Sequence, residues 1–238
     1  PESSPVQVAS QPARHARSDA HRFAEVDSIK ALGILVVVLI HAARSPFELG
    51  ASQVELWFAN VSRFAVPGFF AASGFLYATR GSVPFETTRR RWVRIAAPYL
   101  VFTALAQGLR LWRGEGPRTG SALADVLLAG SFGPWYYVFV AMLLVGVAPL
   151  LARLGPRAFA ATLGLGLAAQ GWFEVAYHAN LNLFWHVRNP LLWLAYFQVG
   201  WLARLAHARL VALPGAQRAG IAAARATVAA ALFAALAF

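Results

Sequence analysis

Lys30 and His41 stand eleven positions apart in the stretch SIKALGILVVVLIHAAR, residues 28–44, where most other residues are apolar. On an α-helix eleven residues turn through about 1100°, roughly 20° past three full turns, so the two side chains share one face. The helical rise separates them by about 16 Å along the axis. An imidazole with a pKa near ~6.5 is suited to take a proton from a hydroxyl at neutral pH. An ionisable residue inside a membrane helix is costly to bury and is a functional candidate by default. The plainer readings are a lysine that snorkels as an anchor and a histidine hydrogen-bonded to a neighbouring helix or set among headgroups.

Two further groups carry potential chemistry. The stretch RRRWVRIAAPYL, residues 89–100, holds Arg91 and Arg94. Read by themselves, its four arginines satisfy the positive-inside rule for a cytoplasmic loop without any ligand. Ser73 in AASGF either lines a path or, beside Gly74, permits close helix packing, the commoner role. It lacks the strained Gly-x-Ser-x-Gly turn of hydrolases, and no carboxylate stands ready for a triad. The chain has no Cys, which excludes a disulfide, a thiol nucleophile and a Cys-ligated metal. His178 and His186 lack a third ligand, so no metal site is read.

These residues sit in an apolar framework. Of 238 residues 58% are hydrophobic and 13% charged, with a mean hydropathy of +0.54. A soluble domain carries about a quarter charged residues. Apolar runs near 28–46, 57–79, 95–112, 134–152, 158–177, 190–206 and 219–238 predict an all-α, polytopic transmembrane helix bundle of about seven spans. The runs are continuous, not alternating, which argues against a strand barrel. Residues 1–21 are polar and read as a disordered cytoplasmic tail, without the apolar core of a signal peptide. Residues 22–238 read as one transmembrane domain, incomplete at its C-terminal end.

The net charge of +11 does not form a single stripe, and no recognition motif accompanies it, so no nucleic-acid partner is expected. With the N-terminus cytoplasmic, thirteen arginines fall inside and six outside, with Lys30 and Arg225 embedded. That bias orients the N-terminus inward. Segments 114–133 and 174–189 become outer loops, and Trp135, Tyr136 and Tyr137 read as an interfacial aromatic belt.

The stretch VDSIKALGILVVVLIH resembles the first helix of acyltransferase family 3, the bacterial membrane O-acyltransferases. That family typically shows Arg, ten residues, then His; Lys30 takes the Arg place and keeps the charge without the bidentate fork. RFAVPGFFAASGFL (63–76), the basic stretch 89–100, GPWYYVFVAMLLVGVAPLL (133–151) and NPLLWLAYFQVGWLAR (189–204) resemble later helices of the family, in order. The resemblance covers residues 23–206, and family members usually have about ten spans.

The resemblance implies an enzyme of the bacterial inner membrane. It would move an acyl group, acetyl by default, from acyl-coenzyme A to a hydroxyl of an envelope glycan or similar acceptor. It implies His41 as general base, Lys30, Arg91 and Arg94 as donor-binding cations, and Ser73 as a path-lining residue. Acyl-coenzyme A is then a co-substrate, with no bound cofactor and no metal. The surrounding lipid is the other partner; oligomeric state is left open. A polytopic transporter and an inactive structural homologue are the alternatives.

Overall fold

The computed structural model describes residues 23–42, 52–54, 64–78, 85–177 and 183–211. Among them every regular element is helical. The helices are α1 (Ala24–Ala42), α2 (Ala65–Tyr77), α3 (Phe85–Trp112), α4 (Ala122–Leu127), α5 (Tyr136–Leu151), α6 (Pro156–Tyr177), α7 (Leu183–His186) and α8 (Pro190–Val211). A 3-10 turn, Gly133–Trp135, leads into α5. Six of the seven expected spans overlap α1, α2, α3, α5, α6 and α8. The seventh, 219–238, and the expected tail, 1–21, lie outside the described residues.

Local chemistry sets several boundaries. Pro156 opens α6 and Pro190 opens α8, where a missing N–H costs nothing because first-turn donors have no helical partner. Ser121 caps α4 by accepting from the Ala124 N–H. Helix α3 starts ten residues before the expected span, because its arginine-rich first turns are themselves helical. Glu86 pairs there with Arg89 at 2.8 Å and Arg90 at 2.9 Å, the i+3 and i+4 positions that stabilise a helix. Pro98 removes one N–H from the ladder in mid-helix, and the Thr103 hydroxyl bonds back to the Tyr99 carbonyl at 2.7 Å.

Helix α2 lies at the centre. Its Phe70 is fully buried with Val140 and Leu144 of α5 and Phe197 and Trp201 of α8. Two glycines bring α2 and α8 into backbone contact. A Cβ on Gly74 would fall on the Phe197 carbonyl, and one on Gly200 on the Ala71 carbonyl. Such mutual access to backbone is what small residues provide in close helix pairs. Against α8 on its other side lies α6, tied by Gln198 Nε2 donating to Thr162 Oγ1 at 2.8 Å and by Gln170 Nε2 donating to the Leu192 carbonyl.

The contacts also give directions. Phe23 meets Phe75 while Gly33 meets Phe69, so α1 and α2 are antiparallel. Phe70 meets Trp193 while Phe75 meets Arg204, so α2 and α8 are parallel. Phe102 meets Trp135 while Arg91 and Val145 border one crevice, so α3 and α5 are antiparallel. Helices α1, α3 and α6 therefore run one way and α2, α5 and α8 the other.

Among the described residues one helix, Gly133–Leu151, is long and apolar enough to cross a membrane; Ala65–Tyr77 is apolar but shorter. The other long helices carry polar residues that dilute them: Glu25, Asp27 and Lys30 on α1, Gln170 and Glu174 on α6, Arg204 and Arg209 on α8. Large apolar side chains nonetheless cover their outer faces. Leu35 is 61% exposed, Leu105 63% and Val175 70%, on three different helices.

Candidate functional site

A cavity of about 430 Å³ opens between α1, α2, α3 and α5. Three of the five residues singled out in the sequence border it: Lys30 from α1, Ser73 from α2 and Arg91 from α3. They are 18 to 61 positions apart in the chain, and helix packing alone brings them together. Tyr77 and Val145 flank Arg91 at one end. Ser73, Ile95 and Ala141 line the middle. Phe69, Tyr137 and Val138 line the other end, where the Phe69 and Tyr137 rings approach to 5.4 Å. Tyr77 to Phe69 on α2 and Val145 to Tyr137 on α5 are each eight residues, so both walls measure about 12 Å.

Charge is distributed unevenly around this cavity. Glu86 occupies Arg89 through Nε and Nη2, at 2.8 and 3.0 Å, and Arg90 through Nε at 2.9 Å. These bonds hold the Glu86 carboxyl at a pKa of about 2. Arg91 turns the other way and is half-buried, its guanidinium carbon 5.0 Å from the centre of the Tyr77 ring. Arg94, three positions on, is exposed and does not border the cavity.

Lys30 lies deeper than the end of its segment suggests. Helix α1 begins at Ala24, and Gly33 packs against the Phe69 ring, so Lys30 is nearer the Phe69 level than the Tyr77 level. Helical side chains tilt toward the N-terminus, which directs the lysine stem back along the cavity. Ser73 donates its hydroxyl to the Phe69 carbonyl at 2.8 Å, leaving its oxygen able to accept. Its neighbour Gly74 makes the packing contact with α8. Bordering the cavity and packing on α8 thus fall to adjacent residues, about 100° apart on the helix.

His41 lies in the last turn of α1 and is exposed. It is eight residues past Gly33, about 12 Å beyond the Phe69 level, and does not border the cavity. His178 lies outside the described residues. His186 packs its ring on Phe173 at 5.9 Å.

Sequence reasoning missed Phe69, Tyr77 and Tyr137 as cavity residues. It also missed a buried polar knot under the segment 114–133. Arg188, counted as a loop cation, is 6% exposed. Its guanidinium donates to the carbonyls of Leu128 at 2.6 Å, Phe184 at 2.7 Å and Ala129 at 2.7 Å, and lies 3.6 Å from the Phe184 ring centre. Burial draws its pKa below the ordinary arginine value. Tyr99 from α3 donates its hydroxyl to the carbonyls of Val126 and Leu127, at 3.0 and 2.9 Å. Asp125, fully buried, accepts from the N–H groups of Arg118 and Thr119 at 2.8 and 2.9 Å and from the Thr119 hydroxyl at 2.7 Å. Burial pushes its carboxyl pKa up, but these bonds outweigh that and hold it below the usual value. The glycine at 130 is required: a Cβ there would strike the Asp125 carboxylate. No spacing in the sequence announces this knot, because its partners lie on α3, α4, α7 and the turns beside them.

The family model described as the acyltransferase domain matches residues 23–238, and the chain belongs to acyltransferase family 3. No curated protein and no solved structure matches the chain.

Proposed function

We propose, from that membership, that this chain is a polytopic inner-membrane O-acyltransferase that moves an acyl group, acetyl by default, from acyl-coenzyme A to a hydroxyl of an envelope glycan or similar acceptor. The observation that carries the reading is the cavity bordered together by Lys30, Ser73 and Arg91. It offers two cations at different heights and an otherwise largely apolar wall. A donor with anionic phosphates at one end and a thioester on a long arm has that same layout. The alternating helix directions and the outward-facing Leu35, Leu105 and Val175 support a membrane bundle. Arginines at the Arg89 to Arg94 end support that end, and the N-terminus with it, as cytoplasmic.

In this reading Arg91 holds the donor phosphates at the mouth, Arg94 adds positive potential outside it, and Lys30 supplies charge further in. The arm runs past Ser73 to the Phe69–Tyr137 pair, which must part for the thioester to reach His41. His41 takes the proton of the acceptor hydroxyl as its oxygen attacks the thioester carbonyl. The tetrahedral adduct then expels coenzyme A as a thiolate, which takes the proton back from the imidazolium. The ester and the free thiol are the products, and the charges balance.

The test is release of thiol and transfer of label from [¹⁴C]acetyl-coenzyme A by purified protein in nanodiscs, with membrane extract as acceptor source. Labelled ester that mild base removes supports the reading. Protein that binds no acetyl-coenzyme A and transfers no label overturns it.

A further inference from the structure

Four arginines crowd residues 89–94, and the fold treats each differently. Glu86 pairs with both Arg89 and Arg90, one carboxylate shared between two cations. Arg94 is exposed and off the cavity. Arg91 alone of the four borders the cavity, and it also borders the small crevice beside it, between Thr88 and Pro149. Both spaces share one other α2 or α3 residue, Tyr77, whose ring centre lies 5.0 Å from the Arg91 guanidinium carbon. A cation over an aromatic face is attracted by the ring quadrupole. Among the described residues no hydrogen bond or ion pair takes up the Arg91 N–H groups, whereas Glu86 holds those of Arg89 and Arg90.

We propose that Tyr77 is a positioning residue for the donor: its ring holds the Arg91 guanidinium at the cavity mouth with its N–H fork free for a phosphate. This rests on the acyl-coenzyme A reading and narrows it, assigning the polyanionic head of the donor to Arg91 and not to the arginine cluster as a whole. The ring does the holding, so the phenolic hydroxyl is dispensable. An aliphatic side chain of similar bulk fills the space and leaves the guanidinium unanchored.

The experiment is steady-state kinetics on the full chain in nanodiscs, with acetyl-coenzyme A as donor and adenosine 3′,5′-bisphosphate as a probe of head binding. Tyr77→Phe keeps the parent KM for donor. Tyr77→Leu raises that KM and the inhibition constant of the bisphosphate together, on the order of tenfold, with kcat within about twofold. In an Arg91→Gln background Tyr77→Leu adds nothing further to KM, since the residue it positions is gone. Equal KM values for Tyr77→Phe and Tyr77→Leu, or additive effects in the double variant, overturn the proposal. If Tyr77→Leu does not fold, Tyr77→Met in the same comparison decides it. A parent protein that neither binds nor uses acetyl-coenzyme A refutes the donor reading itself, which is a different result from normal transfer with an indifferent Tyr77.

Discussion

Phe69 on α2 and Tyr137 on α5 meet with ring centroids 5.4 Å apart, and the cavity that begins at Arg91 and Tyr77 ends against this pair. Gly33 on α1 backs the contact: a Cβ there would come within 3.0 Å of the Phe69 ring edge. The pair stands between the cavity and His41, about three helical turns past Lys30 on the same helix. On the proposed reading an aromatic layer therefore separates the donor cavity from His41, and each side can be tested alone.

On the cavity side, Ala141 is the small residue opposite Ser73 in the lining. Ala141 also belongs to the buried core with Phe70 and Leu144, so Ala141→Leu adds three carbons where cavity and core meet. Donor KM is expected to rise at least about tenfold, and thermal stability to fall by no more than the ~1–3 kcal/mol typical of overpacking. Parallel kinetics and thermal unfolding check this. An unchanged KM shows that the donor does not use the middle of the cavity.

On the other side, His41→Ala lowers kcat by roughly 10²–10⁴-fold, the usual contribution of a general base, with donor KM and membrane insertion retained. Full activity in a well-expressed variant removes His41 from the mechanism.

Arg91 and Arg94 looked equivalent in the sequence as donor-binding cations, and the structure separates them. Arg91→Gln is expected to raise donor KM on the order of ten- to a hundredfold, as loss of a charged hydrogen bond does. Arg94→Gln is expected to change it by less than about threefold, through potential alone. Equal effects of the two would mean that Arg94 swings into the site on binding.

The framework of this arrangement was legible in the sequence because apolar runs of helical length need only local information. The arginine stretch shows the limit. Its charge reads as a loop, yet the stretch is helical, with Glu86 bonded to Arg89 and Arg90, and α3 begins at Phe85 and not near residue 95. The cavity is a product of four-helix packing, and nothing local marks Tyr77 as the partner of Arg91. Trp135, Tyr136 and Tyr137 looked alike as a belt, yet each successive residue rotates by about 100°. Trp135 meets Phe102 and Phe132, Tyr136 stacks on Trp193 at 5.9 Å, and Tyr137 turns to the cavity. Ser73 and Gly74 show the same split between neighbours.

The α2–α8 contact gives a stability prediction. Gly74 and Gly200 each face a backbone carbonyl, which cannot move aside as a flexible side chain can. Gly74→Ala or Gly200→Ala is expected to destabilise the fold by about 1–3 kcal/mol or more, by forcing the helices apart. Gly146 on α5 has nothing near its added Cβ. Gly146→Ala is therefore neutral, or stabilising by up to about 1 kcal/mol from helix propensity. Thermal unfolding in detergent compares the three.

Asp125 gives the pH prediction. Its carboxyl is held below the usual pKa because two backbone N–H groups and the Thr119 hydroxyl favour the charged form against the cost of burial. A group with a depressed folded pKa stabilises the fold above its unfolded value of about 3.9, and that stability is lost as pH falls through the folded value. The knot around Arg188 should therefore loosen below about pH 4, not in the neutral range. Asp125→Asn replaces one accepting oxygen with an amide donor that faces other donors, costing roughly 1–3 kcal/mol at pH 7. The variant's melting temperature then varies less between pH 5 and pH 2.5 than the parent's, and the two curves converge in acid. Parallel curves over that range would show that the carboxylate does not stabilise the knot through its charge.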